Sequence, residues 1–339
     1  KYGSPIYCYS NKRLVDNIIN FKNSFKSFNP LICFSVKSNY NSTILRIIKE
    51  HGLGADVVSD GELKKVLSLG FKPNRIVYSG VGKKFEELKF AISKNILLIN
   101  VESESELKNI KKIAEKFGKK VSVGLRLNPN IDAKTNTKIS TGRIQDKFGL
   151  NGNDIIKILN KFKNSRNIKI KCLSVHIGSQ ITQNKPYNNV LVAINKILSK
   201  SKYKFEYIDL GGGMGIKYIK DNKKLDYSKL SKNIHKFSKR NNCKIIFEPG
   251  RSIVGNTAVL LTKVIYIKNS SNKKFIIIDA GMNDLIRPAL YNATHDIIPL
   301  TKKSSRNFSS HDFVGPICET SDRFLKTKNY QKINEGDNL

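Results

Sequence analysis

Eight short β-rich runs alternate with amphipathic segments through the first three quarters of the chain, and no other feature restricts the fold as much. The runs are 31–36, 55–58 (Ala-Asp-Val-Val), 75–79, 96–101, 121–127, 171–176, 206–210 and 244–248. Helical spacing occupies 11–28, 43–50, 84–94, 103–117, 153–163, 187–200 and 228–240, and Ser59-Asp-Gly-Glu62 before Leu63 has the form of a capping box that opens one more helix. Strand and helix alternating eight times predict an α/β fold, a parallel (β/α)8 TIM-like barrel over 10–256. With 339 residues and 39% hydrophobic content, the chain has room for such a barrel and an appendage.

Past residue 256 the rhythm changes. Val259-Leu-Leu-Thr-Lys-Val-Ile-Tyr-Ile267, Phe275-Ile-Ile-Ile-Asp279 and Asp312-Phe-Val314 read as strands without long helices between them. They predict an antiparallel β domain over 257–339, joined by residues 1–9. Residues 301–311 read as a polar surface loop, and Glu335-Gly-Asp-Asn-Leu339 as the start of another strand.

Composition excludes several classes of function. No apolar run reaches the ~18 residues of a membrane helix, and the start of the chain has no charged and apolar regions of a secretory signal. Five cysteines without a C-x-x-C pair argue for reduced thiols in a cytoplasm, not for a disulfide framework or a zinc site, and no His/Cys/Asp cluster has metal spacing. The formal charge of +34 would suit a nucleic-acid partner, yet the lysines are spread along the whole chain and are not interleaved with stacking aromatics. Weak polyanion adhesion is the expectation from charge, and a specific nucleic-acid site is not. Arginine is scarcer, so Arg126, Arg251 and Arg287, read as lying at strand ends, mark places where a planar fork is needed.

Chemistry is concentrated where the strands of the barrel end. Lys37 closes Leu31-Ile-Cys-Phe-Ser-Val-Lys37 with small Ser38 and Asn39 behind it, the place for a Schiff-base lysine. In such barrels a phosphate commonly binds in the loops after strands seven and eight. Asp209-Leu-Gly-Gly-Gly-Met-Gly215 and Glu248-Pro-Gly-Arg251 fall there, and consecutive glycines expose backbone N–H groups to a dianion. A dinucleotide fingerprint fails, because Ile216 or Tyr218 occupies the third glycine position; a purely structural turn stays open.

Glu248 follows Ile245-Ile-Phe247, so its carboxylate stands at an apolar rim where a cationic partner such as a pyridinium nitrogen would compensate it. Opposite charges ~4 Å apart attract by roughly 4 kcal/mol at an effective dielectric of ~20, enough to keep such a ring protonated as an electron sink. His176 in Ser174-Val-His-Ile-Gly-Ser-Gln180 could stack on that ring or simply pack, and Ser179 could donate to its phosphate. Arg287 and Tyr291, four apart around a proline, form a pair of donors for a carboxylate. Cys318 and Glu319 set a thiol beside an acid in a Gly-Pro turn, a proton donor or a small buried hydrophobe.

In their order and spacing, Phe34-Ser-Val-Lys-Ser-Asn39, His176-Ile-Gly-Ser-Gln180, Gly211-Gly-Gly213, Glu248-Pro-Gly-Arg251, Arg287-Pro-Ala-Leu-Tyr291 and Cys318-Glu-Thr-Ser-Asp322 resemble the diaminopimelate decarboxylases, pyridoxal-phosphate enzymes of the alanine-racemase-like fold type III. The resemblance runs from Lys1-Tyr-Gly-Ser-Pro-Ile-Tyr7 to the end of the chain. It implies decarboxylation of meso-2,6-diaminopimelate to L-lysine and CO2, with pyridoxal 5'-phosphate linked to Lys37 and His176 over its ring. It also implies that Ser179, Gly213 and the Gly250-Arg251 turn hold the phosphate, that Pro249 belongs to the cofactor site and that Glu248 faces the ring nitrogen. Substrate carboxylate falls to Arg251, Arg287 and Tyr291, the distal ammonium to Glu319, and protonation of the carbon that loses CO2 to Cys318. In the family Cys318 and Glu319 come from the partner subunit, so the expectation is a homodimer with shared sites. The family also has a strand region ahead of Tyr-Gly-Ser-Pro and a C-terminal segment with an Ala-Tyr-Gly motif; the expectation is a β domain incomplete at both termini. An ornithine or arginine decarboxylase of the same fold is the nearest alternative, although ornithine decarboxylases place Asp after the reactive cysteine and their substrate has no far carboxylate for Arg287. A noncatalytic pyridoxal-phosphate carrier and a polyanion-binding protein are more distant ones.

Overall fold

The structure is a computed structural model that describes residues 2–133, 135–218, 225–271, 273–301, 306–307, 310–328 and 330–339. In chain order the elements are β1 (Ile6–Tyr9), α1 (Asn11–Ser24), β2 (Leu31–Ser35), α2 (Ser42–Glu50), β3 (Gly54–Val57), α3 (Asp60–Ser68), β4 (Ile76–Tyr78), α4 (Phe85–Ser93), β5 (Leu98–Val101), α5 (Glu104–Lys116), β6 (Val121–Arg126), α6 (Gly152–Phe162), β7 (Ile168–Ser174), α7 (Asn184–Ser201), β8 (Tyr207–Asp209), α8 (Tyr227–Asn241), β9 (Lys244–Phe247) and α9 (Arg251–Val254). There follow β10 (Ala258–Leu261), β11 (Val264–Ser270), β12 (Lys273–Ile278), α10 (Arg287–Tyr291), β13 (Arg306–Asn307), β14 (Ser310–Val314), β15 (Arg323–Thr327) and β16 (Tyr330–Gln331).

Strands β2 to β9 pair in parallel and close into the expected barrel, with Leu31 opposite Ile246 and Ile32 opposite Phe247 at the closure. Apolar residues at helical spacing seal the helices onto it, as Leu107, Ile110, Ile113 and Ala114 do on α5. The helix starts are fixed locally. Ser59 accepts the N–H of Glu62 and Ser103 that of Glu106, satisfying donors that have no partner within the helix.

Inside the barrel the two-residue strand period stacks side chains in layers. Cys33, Val77, Leu98, Cys172 and Ile246 form one buried apolar cluster. Two residues further along the same strands stand Ser35, Ser79, Asn100, Ser174 and Glu248, all buried and all polar. The apolar layer is the floor and the polar layer lines the C-terminal mouth. Gly124 in mid-β6 makes room for this crossing of side chains, because a Cβ there would run into Asn100 Oδ1.

A second unit comprises the N-terminal residues up to Asn11, a short stretch from Lys217, and Thr257–Leu339. Its four-stranded sheet has the order β11-β12-β14-β15, with β1 paired to β10 and β13 to β16. The expected β domain is present, and among the described residues its pairings are antiparallel except one: β12 and β14 run parallel, Lys273 opposite Ser310 through Ile277 opposite Val314, so the four-stranded sheet is mixed. The single strand expected over 259–267 is two, since Thr262 and Lys263 leave the ladder to bond Leu339 and Asp279. The expected loop 301–311 is also revised, because Ser310 and His311 belong to β14; within that stretch residues 302–305 and 308–309 lie outside the described residues. Val264, Ile276, Ile278, Ala280, Phe313, Phe324, Ile333 and Leu339 form the core of this unit. Among the described residues no helix is long and apolar enough to cross a membrane.

Candidate active site

Every strand of the barrel delivers a polar side chain at or just beyond its C-terminal end. Lys37 lies after β2, Asp56 on β3, Ser79 after β4, Asn100 on β5, Arg126 on β6, His176 after β7, Asp209 on β8 and Glu248 after β9. Strand β2 ends at Ser35, one residue earlier than the sequence suggests, and Lys37 sits on the tight turn Val36–Ser38. That turn carries the amine to 3.8 Å from Asp56 Oδ2. Asp56 also accepts from Ser35 Oγ at 2.8 Å, while its Oδ1 is buried without a hydrogen-bond partner among the described residues. Burial raises the Asp56 carboxyl above the usual range, and Lys37 and Ser35 pull it part of the way back.

Glu248 is buried far more than a solvated strand-end residue would be. Burial, then the neighbouring Asp209 and Asp56, push its carboxyl well above the ordinary value, with Lys37 opposing them. The mouth is thus rich in buried carboxyls and poor in cations, the condition under which a flat cationic ring would be held.

Beside Glu248 the loops after β7 and β8 interlock. Ile181 N donates to Gly213 O and Gly215 N to Ile181 O, each at 2.9 Å. Gly213 has φ +89°, and a Cβ on it would collide with Gly178 O, so only glycine lets the two backbones approach this closely. Gly212 N donates to His176 Nδ1 at 3.3 Å, which leaves Nε2 as the protonated nitrogen of a neutral ring. Burial, Lys37 and Arg126 all hold the His176 pKa well below the usual imidazole range. Ser179 lies half-buried on the same loop, and Gly250 opens the turn into α9 against Ser38. Arg251 donates through Nη1 to Gln180 Oε1 at 3.2 Å, tying that turn to the loop after β7.

Lys37, His176, Ser179, Gly213 and Glu248 through Arg251 therefore meet at one end of the barrel. The second unit holds the remaining sequence-derived residues. Arg287 and Tyr291 open and close the single turn of α10, with Arg287 Nη1 2.6 Å from His295 Nε2 and its guanidinium 4.2 Å from the Tyr218 ring centre. Cys318 and Glu319 stand on an exposed loop pinned from below by Asp322, which accepts from Ile317 N at 2.8 Å and Met282 N at 2.7 Å.

Sequence reasoning assigned no site role to Asp56, Ser79, Asn100 or Glu102. Glu102 grips Arg126 at 2.5 Å in a buried ion pair and accepts Gly149 N at 2.9 Å, while Phe148 lies 4.8 Å from the Arg126 guanidinium. The available signal was a lone polar residue inside an apolar run, as in Ala55-Asp-Val57 and Ile99-Asn-Val101.

Residues 11–255 match the family model for the pyridoxal-binding domain of pyridoxal-dependent decarboxylases. The diaminopimelate decarboxylase of Aquifex aeolicus is 39% identical over 341 residues, covering 100% of this chain and 80% of that protein. That of Helicobacter pylori strain J99 is 40% identical over 343 residues, covering 100% of this chain and 84% of that protein. The crystal structure of the H. pylori enzyme complexed with L-lysine superposes with a TM-score of 0.94 at 38% identity, covering 100% of this chain and 85% of that one. Similarity of this extent, carried through both units, decides the matter: the chain belongs to the diaminopimelate decarboxylase family of pyridoxal-dependent enzymes.

Proposed function

We propose that the chain removes one carboxylate of meso-diaminopimelate as CO2 and yields L-lysine, using pyridoxal 5'-phosphate. The observation that carries this reading is a buried Glu248, its carboxyl raised by burial and by Asp209, at the barrel end where Lys37 presents its amine. The donor set fits the cofactor: an amine for its aldehyde, a buried acid for its ring nitrogen and a glycine-lined backbone cradle for its phosphate. When bound, pyridoxal phosphate supplies an aldehyde that condenses with amines and a protonated ring that accepts the electron pair left by the departing carboxylate.

Lys37 offers its amine, steadied by Asp56 at 3.8 Å. Glu248 keeps a proton at the ring nitrogen, and neutral His176 covers a ring face without adding a competing charge. Ser179, Gly213 and the Gly250-Arg251 turn hold the phosphate, with Pro249 beside the cofactor. Arg251, Arg287 and Tyr291 bind substrate carboxylate, Glu319 binds the distal ammonium, and Cys318 delivers a proton to the carbon that has lost CO2. The active form is a cytoplasmic homodimer in which Cys318 and Glu319 serve the neighbouring subunit's barrel; their exposure on the protomer supports this.

Incubation of the full-length protein with pyridoxal phosphate and meso-diaminopimelate should release CO2 and lysine. Failure to release either at saturating cofactor would sink the reading. Borohydride reduction followed by peptide mapping should mark Lys37, and a mark on another lysine would overturn the site.

A further inference from the structure

Two buried carboxyl groups stand on neighbouring strand ends in the polar layer of the barrel mouth. Asp209 is 0% exposed and Glu248 8%, and Glu248 N donates to Gly211 O at 2.8 Å, two residues beyond Asp209. Asp209 Oδ1 accepts Gly211 N at 2.9 Å and Oδ2 accepts Asn100 Nδ2 at 3.0 Å. Asn100 Nδ2 also reaches Ser79 Oγ at 3.2 Å, and Ser79 Oγ donates to Glu248 Oε1 at 3.3 Å. The network crosses the barrel from β4 and β5 to β8 and β9. The charged groups that act on the pair are Asp56 from β3 and Lys37 from the turn after β2, while Cys33 and Cys172 below them are buried neutral thiols.

Adjacent buried carboxyls cannot both ionise at neutral pH when one amine must also balance Asp56. The donors decide where the proton goes. Asp209 has two N–H groups that favour its ionised form, and Glu248 has a single hydroxyl at long range, so the proton rests on Glu248.

We propose that Asp209 and Glu248 hold one proton between them in the cofactor-free enzyme and release it when the pyridine ring docks, which makes Asp209 a positioning residue for Glu248. A ring nitrogen that arrives protonated meets the Glu248 carboxylate, and the displaced proton goes to solvent. One that arrives unprotonated takes the proton from Glu248. Either way one proton is conserved and no electron moves. While the free ring is protonated, affinity must therefore rise with pH, about tenfold per unit for one proton released. Asn100 and Ser79 hold the geometry on which this depends.

The inference rests on the cofactor assignment and is tested through binding, not turnover. Calorimetric titration of the cofactor-free full-length protein with 4-deoxypyridoxine phosphate, which lacks the aldehyde, would be run at pH 6–7.5 in buffers of different ionisation enthalpy to give the protons released. The unsubstituted protein should release about one proton more than Asp209→Asn, and its affinity should climb about tenfold per pH unit more steeply. Glu248→Gln, also isosteric, should match Asp209→Asn and carries the test if the latter does not fold. Equal proton counts in the unsubstituted protein and the folded variant would overturn the inference while leaving the cofactor assignment intact. Absence of binding by the unsubstituted protein to both the analogue and pyridoxal phosphate would overturn both.

Discussion

At the residue scale the barrel mouth makes opposite demands on its titrating groups. Asp209 is pushed up to about 6, first by burial, against the donors Gly211 and Asn100, and burial pushes Glu248 well above its ordinary value too. An acid whose folded pKa exceeds its unfolded value binds its proton more tightly in the native state. Its contribution to stability is full below the unfolded pKa of about 4 and is lost as pH rises through the folded value, at about 1.4 kcal/mol per unit. His176 acts in the opposite sense, because its lowered pKa destabilises the fold as pH falls below about 6.5. Comparison with Asp209→Asn removes that background. Urea unfolding of the cofactor-free protein should show stability falling from pH 4.5 to 6 more steeply than in the variant, by about 1 kcal/mol per unit; parallel profiles would refute the linkage. Lys37 and Cys318 divide the chemistry differently. Lys37→Ala should abolish both the borohydride-reducible link and turnover, whereas Cys318→Ala should keep the link and lose about 10²- to 10⁴-fold in rate, the usual worth of a positioned acid. Equal loss of cofactor in both variants would contradict that division.

At the scale of elements, a single lysine connects three of them. Lys83 is 1% exposed in its side chain, and its amine reaches Gly80 O at 2.6 Å, Asn100 O at 2.8 Å and Glu106 Oε1 at 2.6 Å. Glu106 in turn accepts Glu102 N at 2.8 Å, so hydrogen bonds tie the loop after β4, strand β5 and the start of α5 together. Lys83→Ala would leave the Glu106 carboxylate buried without its partner, and equilibrium unfolding should show a loss of about 3–5 kcal/mol. A loss below ~1 kcal/mol would mean that water replaces the amine. Nothing in the sequence separates Lys83 from dozens of solvated lysines, because its partners lie up to 23 residues away. The barrel itself was legible, since the strand and helix periods are local, as was the Ser59 cap on α3. The mixed sheet was not: the β12–β14 pairing spans Lys273 to Ser310, and no local pattern encodes direction over that separation. Asp56 and Asn100 stayed hidden for another reason. Parallel strands are buried on both faces, so a polar residue pointing into the mouth interrupts an apolar run just as one pointing elsewhere would.

At the scale of the whole molecule, the proposed dimer must bring together two chains of formal charge +34 each. Repulsion between them is screened over a Debye length of ~8 Å at physiological ionic strength and ~30 Å at 0.01 M. Sedimentation should therefore show tighter dimerisation as salt rises from 0.01 M to 0.15 M, the reverse of what a bridge of opposite charges would give. Shared sites make a sharper demand. In a two-fold dimer each barrel is completed by the same loop of the other chain, so a heterodimer of Lys37→Ala with Cys318→Ala contains one site with both defects and one with neither. Random exchange of subunits would make half the dimers heterodimers, and the mixture should recover about a quarter of the unsubstituted activity. Sites complete within one chain would give no recovery, because every barrel would keep its own defect. Exchange performed at 0.15 M salt, followed by assay of CO2 release, distinguishes the two arrangements, and the exposed Cys318 loop predicts recovery.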